Sequence, residues 1–327
     1  MKKTVSLKEI LSPIQKDLQK VEDLVLANLE TDIPLLTEVG QYILNSGGKR
    51  VRPALLLLSA GMIGEITEQT RHAANIIEYI HTATLLHDDV VDNAEIRRAK
   101  KSARSIWGNE ASVLVGDYLF TVSFKYLSAF RNHAVVESLS NATTQMARGE
   151  ILQLTRSNET ATESDYLEIV FYKTASLMAS AMEIGAVLSG CKKDRQKTLY
   201  ECGTNIGIAF QLIDDALDYD LGNSKMGKSI GTDLKERKIT LPLSHLLQNA
   251  SKIHRNHVLD ILEEDEITDR HVEEVCKLVD IYQSVRYTKN RAKSYMEIAN
   301  KLLKGLPDNT YRESIHLLTE YIISRKR

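Results

Sequence analysis

From Ser12 onward, apolar residues recur at the i, i+3, i+4, i+7 spacing of an amphipathic helix with few interruptions. Ile14, Leu18, Val21, Leu24 and Val25 begin the rhythm. Glycine and proline number only 16 and 5 in 327 residues, against a usual share of roughly 7% and 5%. So few chain breakers leave no supply of turns for a sandwich, barrel or propeller. The spacing predicts helices up to Gly47, after Pro53, and over about 69–93, 111–130, 134–157, 164–189, 195–219, 240–249, 254–264, 269–305 (with room for a break) and 309–325. Ser12-Pro13 reads as an N-cap and first helical residue, with Gln15 completing a capping box. No alternating strand, repeat or low-complexity run interrupts the pattern, and no linker divides it. The fold class expected is all-α, one helical domain over 1–327.

The remaining composition excludes several function classes. Net charge is −2, so no global attraction to nucleic acid is expected. Three cysteines, Cys191, Cys202 and Cys276, form no CxxC pair and no disulfide framework. The N-terminal stretch is amphipathic and charged, unlike a signal peptide. The longest apolar run, Ala54–Leu58, is far short of the ~20 residues that span a bilayer. A cytoplasmic protein without a transmembrane segment is expected.

Two segments repeat one design, DDxxD on an apolar helix: Asp88, Asp89 and Asp92, then Asp214, Asp215 and Asp218. At about 100° per residue, His81, Asp88 and Asp92 fall within about 40° of one another, and Gln211 shares a face with the second cluster. Like charges about 5 Å apart repel by about 3 kcal/mol at an effective dielectric near 20. Hard divalent cations relieve that repulsion. All-oxygen ligands suit magnesium, which keeps open positions for substrate phosphates. Two such clusters could hold a diphosphate through bridging ions.

Basic residues complement them. Lys49, Arg50 and Arg52 lie in the helix junction GGKRVRP; Arg97 and Arg98 follow the first cluster; Lys173-Thr174 sits in an apolar helix; Lys228 and Lys238 flank a glycine-containing loop. Arg offers bidentate contacts to phosphate and Lys a point charge. Gly222–Ser229 matches the P-loop pattern letter for letter, but acidic helix precedes it where a buried strand is needed, so it reads as a chance match. His254 and His257 form a weak metal pattern, and the terminal Ser-Arg-Lys-Arg reads as a solvated tail.

In order, the motifs GGKRVRP, HTATLLHDDVVDNAEIRR, VGDYLF, GEILQL, YKTA, FQLIDDALDY and GKSIGTDLKERKITLPL resemble the trans-prenyl diphosphate synthase family over essentially the whole chain, most of all its bacterial octaprenyl branch, which serves the ubiquinone side chain. The resemblance implies an all-α bundle around a central cavity, usually a homodimer. It implies repeated 1'-4 condensation of isopentenyl diphosphate onto an allylic diphosphate, with Mg2+. By position, the six aspartates would hold magnesium on the allylic diphosphate, helped by Arg97. Lys49, Arg52, His81 and Arg98 would bind isopentenyl diphosphate. Lys173, Thr174 and Gln211 would face the allylic carbon, and Lys228 and Lys238 would grip its diphosphate. Two departures stand out. Ala99 replaces the usual glycine after the paired arginines, and Glu236-Arg237-Lys238 replaces Glu-Gly-Lys. Other readings are a terpene cyclase, disfavoured by DDALD and GGKRVRP, and a subunit of a two-component synthase, catalytic or merely isoprenoid-binding.

Product length should depend on residues below the first cluster. Ala83 and Thr84 lie roughly 6–7.5 Å before Asp88 along the helix axis. In the resembled family bulky aromatics there stop growth early, so small residues imply a long product. Phe124, Leu127 and Leu139 are candidates for the floor. Ala83→Phe is expected to shorten the product, read by mass after dephosphorylation; an unchanged size distribution would count against this placement.

Overall fold

Each long periodic stretch is helical in the computed structural model, which describes residues 5–27, 29, 31–97, 100–155, 162–220 and 230–325. In chain order the elements begin with α1 (Leu7–Ile10), α2 (Gln15–Ala27), α3 (Pro34–Asn45), α4 (Val51–Ile63) and α5 (Glu68–Val91). A two-residue antiparallel pair follows, β1 (Ile96–Arg97) and β2 (Lys100–Lys101). Then come α6 (Ala103–Ser128), α7 (His133–Thr155), α8 (Glu163–Val170), a π-helical turn over Phe171–Ala175, α9 (Ser176–Leu188) and α10 (Lys193–Asp218). The chain ends with α11 (Thr232–Lys235), α12 (Leu241–Asn249), α13 (Lys252–Glu263), α14 (Asp269–Ile281), α15 (Ser284–Leu303) and α16 (Thr310–Ser324).

Three details depart from the sequence-based expectations, and a fourth, the break within 269–305, agrees with them. The N-terminal capping box is Ser6 with Glu9; Ser12–Ile14 is a 3-10 turn whose N-cap, Leu11, has no capping side chain. The 164–189 stretch is split by the π turn at Lys173-Thr174. The 269–305 stretch breaks at Tyr282-Gln283, where Gln283 has φ 55°. The β1–β2 pair is a local strand contact that no alternating pattern announced.

The residues group into two compact units, and the chain alternates between them, so neither is contiguous in sequence. The first comprises 1–143, 177–200 and 304–315. Here α5 packs along α6, α4 and α2. Because α4 is apolar nearly all round, it is buried nearly all round: Leu55, Leu56, Leu57 and Leu58 are fully inaccessible. Tyr79, inside α5, is also buried and donates its hydroxyl to the Val25 carbonyl at 3.2 Å.

The second unit comprises 144–176, 201–303 and 316–327. Its core gathers Tyr219, Leu234, Leu243, Val258, Val275 and Val279. Within it α10 lies so close to the π turn that a Cβ on Gly207 would overlap the backbone of Ala175. That approach brings the turn's polar side chains within reach of α10. Among the described residues no helix is long and apolar enough to cross a membrane.

Candidate active site

In the first unit, the first aspartate cluster stands at the C-terminal end of α5. Asp92 is the C-cap, its N–H donating to the Asp88 carbonyl at 2.8 Å, and Asn93 leaves the helix at φ 51°. The helix macrodipole is negative there, so it adds to the repulsion among the carboxylates. The three aspartates diverge. Asp88 and Asp92 are half-buried, whereas Asp89 is 1% exposed. Asp89 accepts an ion-paired hydrogen bond from Arg97, which the β1–β2 hairpin brings back onto the cluster. Burial raises the Asp89 pKa and the Arg97 guanidinium opposes the rise.

The same unit joins two of the expected anion-binding residues: Arg52 Nη1 lies 3.1 Å from His81 Nε2. A guanidinium only donates, so Nε2 accepts and the ring proton sits on Nδ1. Lys49 is exposed. Ala83 is fully buried, and Thr84 is half-buried with its hydroxyl donating to the His81 carbonyl at 2.8 Å. Leu127 and Leu139 are buried, while Phe124 is 43% exposed and packs edge-on against Phe120. Arg98 lies outside the described residues.

In the second unit, the second cluster repeats the placement at the C-terminal end of α10, and its aspartates also diverge. Asp214 pairs with Arg325 Nη2 at 2.6 Å. Asp215, 4% exposed, accepts from Gln211 Nε2 at 2.8 Å and from the buried Tyr166 hydroxyl. Asp218 accepts the Asp233 N–H at 2.9 Å on Oδ2, while its carbonyl accepts the Gly231 N–H at 2.8 Å. Gly231 has φ 70°, and a Cβ there would overlap Val272, so this return of the chain requires glycine. Thr174 donates to Gln211 Oε1 at 2.9 Å, extending the chain of contacts Thr174–Gln211–Asp215–Tyr166. Lys173 Nζ reaches Glu150 Oε2 and Gln153 Oε1, each at 2.8 Å. Both residues owe their direction to the π turn, a distortion that often marks functional positions.

Charge is crowded here. Burial pushes the Asp215 carboxyl up to about 7; the Tyr166 and Gln211 hydrogen bonds pull against burial, and Asp214 and Asp218 add to it. Asp233 rises for the same reasons, burial first and then Asp215 and Asp218. Tyr166 is held well above the ordinary phenol range by burial and by Asp215.

Sequence reasoning missed Tyr166, Asp233 and Arg325. Tyr166 carries no spacing signal, whereas Asp233 lies within the motif GKSIGTDLKERKITLPL, which could have pointed to it. Arg325 corrects an expectation: it is buried, not part of a solvated tail, with its guanidinium over the Phe210 ring at 4.3 Å. Lys238 is half-buried, its Nζ 2.9 Å from Glu236. Arg237, where the resembled family often carries glycine, has φ 57° and donates to the carbonyls of Leu262 at 2.9 Å, Glu264 at 2.5 Å and Asp265 at 3.1 Å. Those bonds offset a left-handed backbone that glycine would adopt without strain. Lys228 and the P-loop match lie outside the described residues.

The donor set fits a hard divalent cation: carboxylates only, gathered against their own repulsion at a helix end. Among the described residues no three His, Cys, Asp or Glu side chains form a ready-made metal cage.

Comparison with known proteins agrees with this chemistry. The Polyprenyl synthetase family model matches residues 33–279. The octaprenyl diphosphate synthase of Escherichia coli is 36% identical, covering 99% of this chain and 100% of that one. A decaprenyl diphosphate synthase structure from Rhodobacter capsulatus superposes with TM-score 0.92 at 35% identity, covering 98% of this chain and all of that one. A Caulobacter crescentus polyprenyl synthase complexed with calcium and isoprenyl diphosphate gives TM-score 0.94 at 34% identity, with full coverage of both.

Two outcomes follow from these contacts. A raised carboxyl pKa means that the folded state holds a proton the unfolded chain has released. Metal-free protein should therefore lose stability between the unfolded value of 3.8 and about 7, and Asp215→Asn should not share that part of the loss. Melting temperatures of the two proteins across this range should diverge as pH rises. Separately, Arg237→Ala, which keeps the strain and loses the bonds, should melt lower than the wild type. Arg237→Gly, which loses the bonds but relieves the strain, should melt above Arg237→Ala. An Arg237→Ala melt equal to wild type would show that the carbonyl contacts contribute nothing, and equal Ala and Gly melts that the left-handed backbone costs nothing.

Proposed function

Because the chain belongs to the polyprenyl synthetase family, we propose that it makes octaprenyl diphosphate, by repeated 1'-4 condensation of isopentenyl diphosphate onto an allylic diphosphate such as farnesyl diphosphate. It is a prenyltransferase and a long-chain trans-prenyl diphosphate synthase. Eight units are favoured by full-length similarity to octaprenyl synthases together with small Ala83 and Thr84 below the first cluster. The observation that carries the reading is the pair of DDxxD clusters, each at the negative end of a helix.

Synthases of this family depend on a divalent metal; magnesium is the proposed ion. When bound, it would stabilise the charge left on the diphosphate as the allylic C–O bond ionises. Asp88, Asp92 and Asp214, the more accessible carboxylates, would meet it first. Asp89, Asp215 and Asp218, held by Arg97, by Tyr166 with Gln211, and by the Asp233 N–H, would steady each cluster and complete the sphere. Lys49, Arg52, His81 and Arg98 would hold isopentenyl diphosphate, with the Arg52–His81 bond fixing the imidazole tautomer. Lys173, Thr174 and Gln211 would face the allylic carbon, with the oxygens of the Thr174 hydroxyl and the Gln211 carbonyl turning the negative ends of their dipoles to the allylic cation. Arg97, Lys228 and Lys238 would complement the allylic diphosphate. The released diphosphate is the natural acceptor of the final proton.

We read the two interleaved units as one catalytic domain. A homodimer is supported by α6, where exposed Val113, Leu114 and Phe124 share one side of the helix within about 100°. Three free cysteines, two of them buried, suit the cytoplasm.

The test is to incubate the purified protein alone with magnesium, farnesyl diphosphate and labelled isopentenyl diphosphate, and to size the dephosphorylated products by mass. A dominant product of eight isoprene units is expected. Another discrete length would correct the product. No incorporation at all would overturn self-sufficiency and point to a required partner subunit.

A further inference from the structure

We propose that Arg50 is a positioning residue for the isopentenyl diphosphate pocket: it bolts the Lys49–Arg52 turn to α5 in the register that joins Arg52 to His81. The proposal rests on the reading of Lys49, Arg52 and His81 as ligands of that substrate.

Arg50 is the N-cap of α4, with φ 47° and ψ 34°. That is a left-handed conformation which side-chain-bearing residues rarely adopt. It does no ordinary capping, because its side chain makes no cap hydrogen bond. The guanidinium instead reaches three separate elements. Nη1 lies 2.5 Å from Glu78 Oε1 on α5, Nε lies 3.1 Å from Glu22 Oε1 on α2, and Nη2 donates to the Leu44 carbonyl near the end of α3 at 2.9 Å. Arg50 and Glu78 are 14% and 6% exposed at the side chain, Glu22 38%. A rigid fork of donors suits three fixed acceptors in a way that a lysine ammonium does not.

Two features make the turn depend on this clamp. First, packing supports it poorly. A cavity of about 290 Å³ lies against it, walled by Leu18, Val25, Leu44, Gly47, Gly48 and Pro53. Gly47, at φ 83°, and Gly48 offer no side chain to anchor the turn. Second, the clamp and the pocket grip the same helix. Arg50 holds Glu78, and Arg52 holds His81 three residues further along α5. That separation is about 4.5 Å of axial rise. Fixing the first contact fixes the second. A buried ion pair is a weak source of stability, but it can select one arrangement among several.

The expected result for Arg50→Gln is a rise of about tenfold in KM for isopentenyl diphosphate, with kcat and the KM for the allylic diphosphate changed less than about twofold. Glu78→Gln should do the same, and the double variant should add little, because both remove one bolt. Arg50→Lys should restore less than half of the effect. A parallel rise in both KM values, or unchanged KM values with a lowered melting temperature, would reduce Arg50 to a merely structural residue and overturn the proposal. Lys49→Ala separates the two readings. If it leaves the isopentenyl KM untouched, the pocket assignment fails; if it raises KM while Arg50→Gln does not, only the positioning role fails. Should Arg50→Gln not fold, Glu22→Gln, which removes the most exposed partner, must raise the same KM alone by about threefold or the proposal is wrong.

Discussion

Carboxylates gathered at the C-terminal end of a helix are repelled by one another and by the unsatisfied carbonyls of the last turn. The chain builds this arrangement twice, at the ends of α5 and α10. Much of the surrounding structure serves to hold it. The β1–β2 hairpin returns Arg97 to Asp89. The C-terminus returns Arg325 to Asp214. Tyr166 and Gln211 occupy Asp215, and the loop through Gly231 delivers a backbone N–H to Asp218. Each cluster is thereby divided into carboxylates tied inward and others left nearer the surface.

Local geometry is bent to the same end. The π turn at Phe171–Ala175 turns Thr174 toward Gln211 and Lys173 toward Glu150. Left-handed residues mark three places where function-bearing loops meet a helix end: Arg50, Asn93 and Arg237. At Arg50 and Arg237 the backbone strain is matched by several hydrogen bonds from the same side chain. Strain that persists near a site is held there by its surroundings.

The helices were legible because a 3.6-residue apolar rhythm needs only local information, and α4, apolar nearly all round, announces its own burial. The aspartate clusters were legible because DDxxD beside leucine and isoleucine is energetically conspicuous. Tyr166 was not: nothing local distinguishes a core tyrosine from one whose hydroxyl meets a carboxylate 49 residues away. Arg325, in a basic terminal run, reads as solvated until Phe210 and Asp214 are seen beneath it. The true N-terminal capping box, Ser6 with Glu9, lies six residues before the site that Ser12-Pro13 suggested.

By itself, then, the sequence determined the all-α class, the helix order and the two acidic helix ends, since periodicity and like-charge crowding are properties of neighbours in the chain. Only the tertiary structure decided which aspartates turn inward, which basic residue meets which carboxylate, and that Arg50 faces Glu78 while Arg52 faces His81. Those choices depend on side chains brought together from distant segments. They depend too on burial, which makes one arrangement of charge in a low-dielectric interior much cheaper than its alternatives.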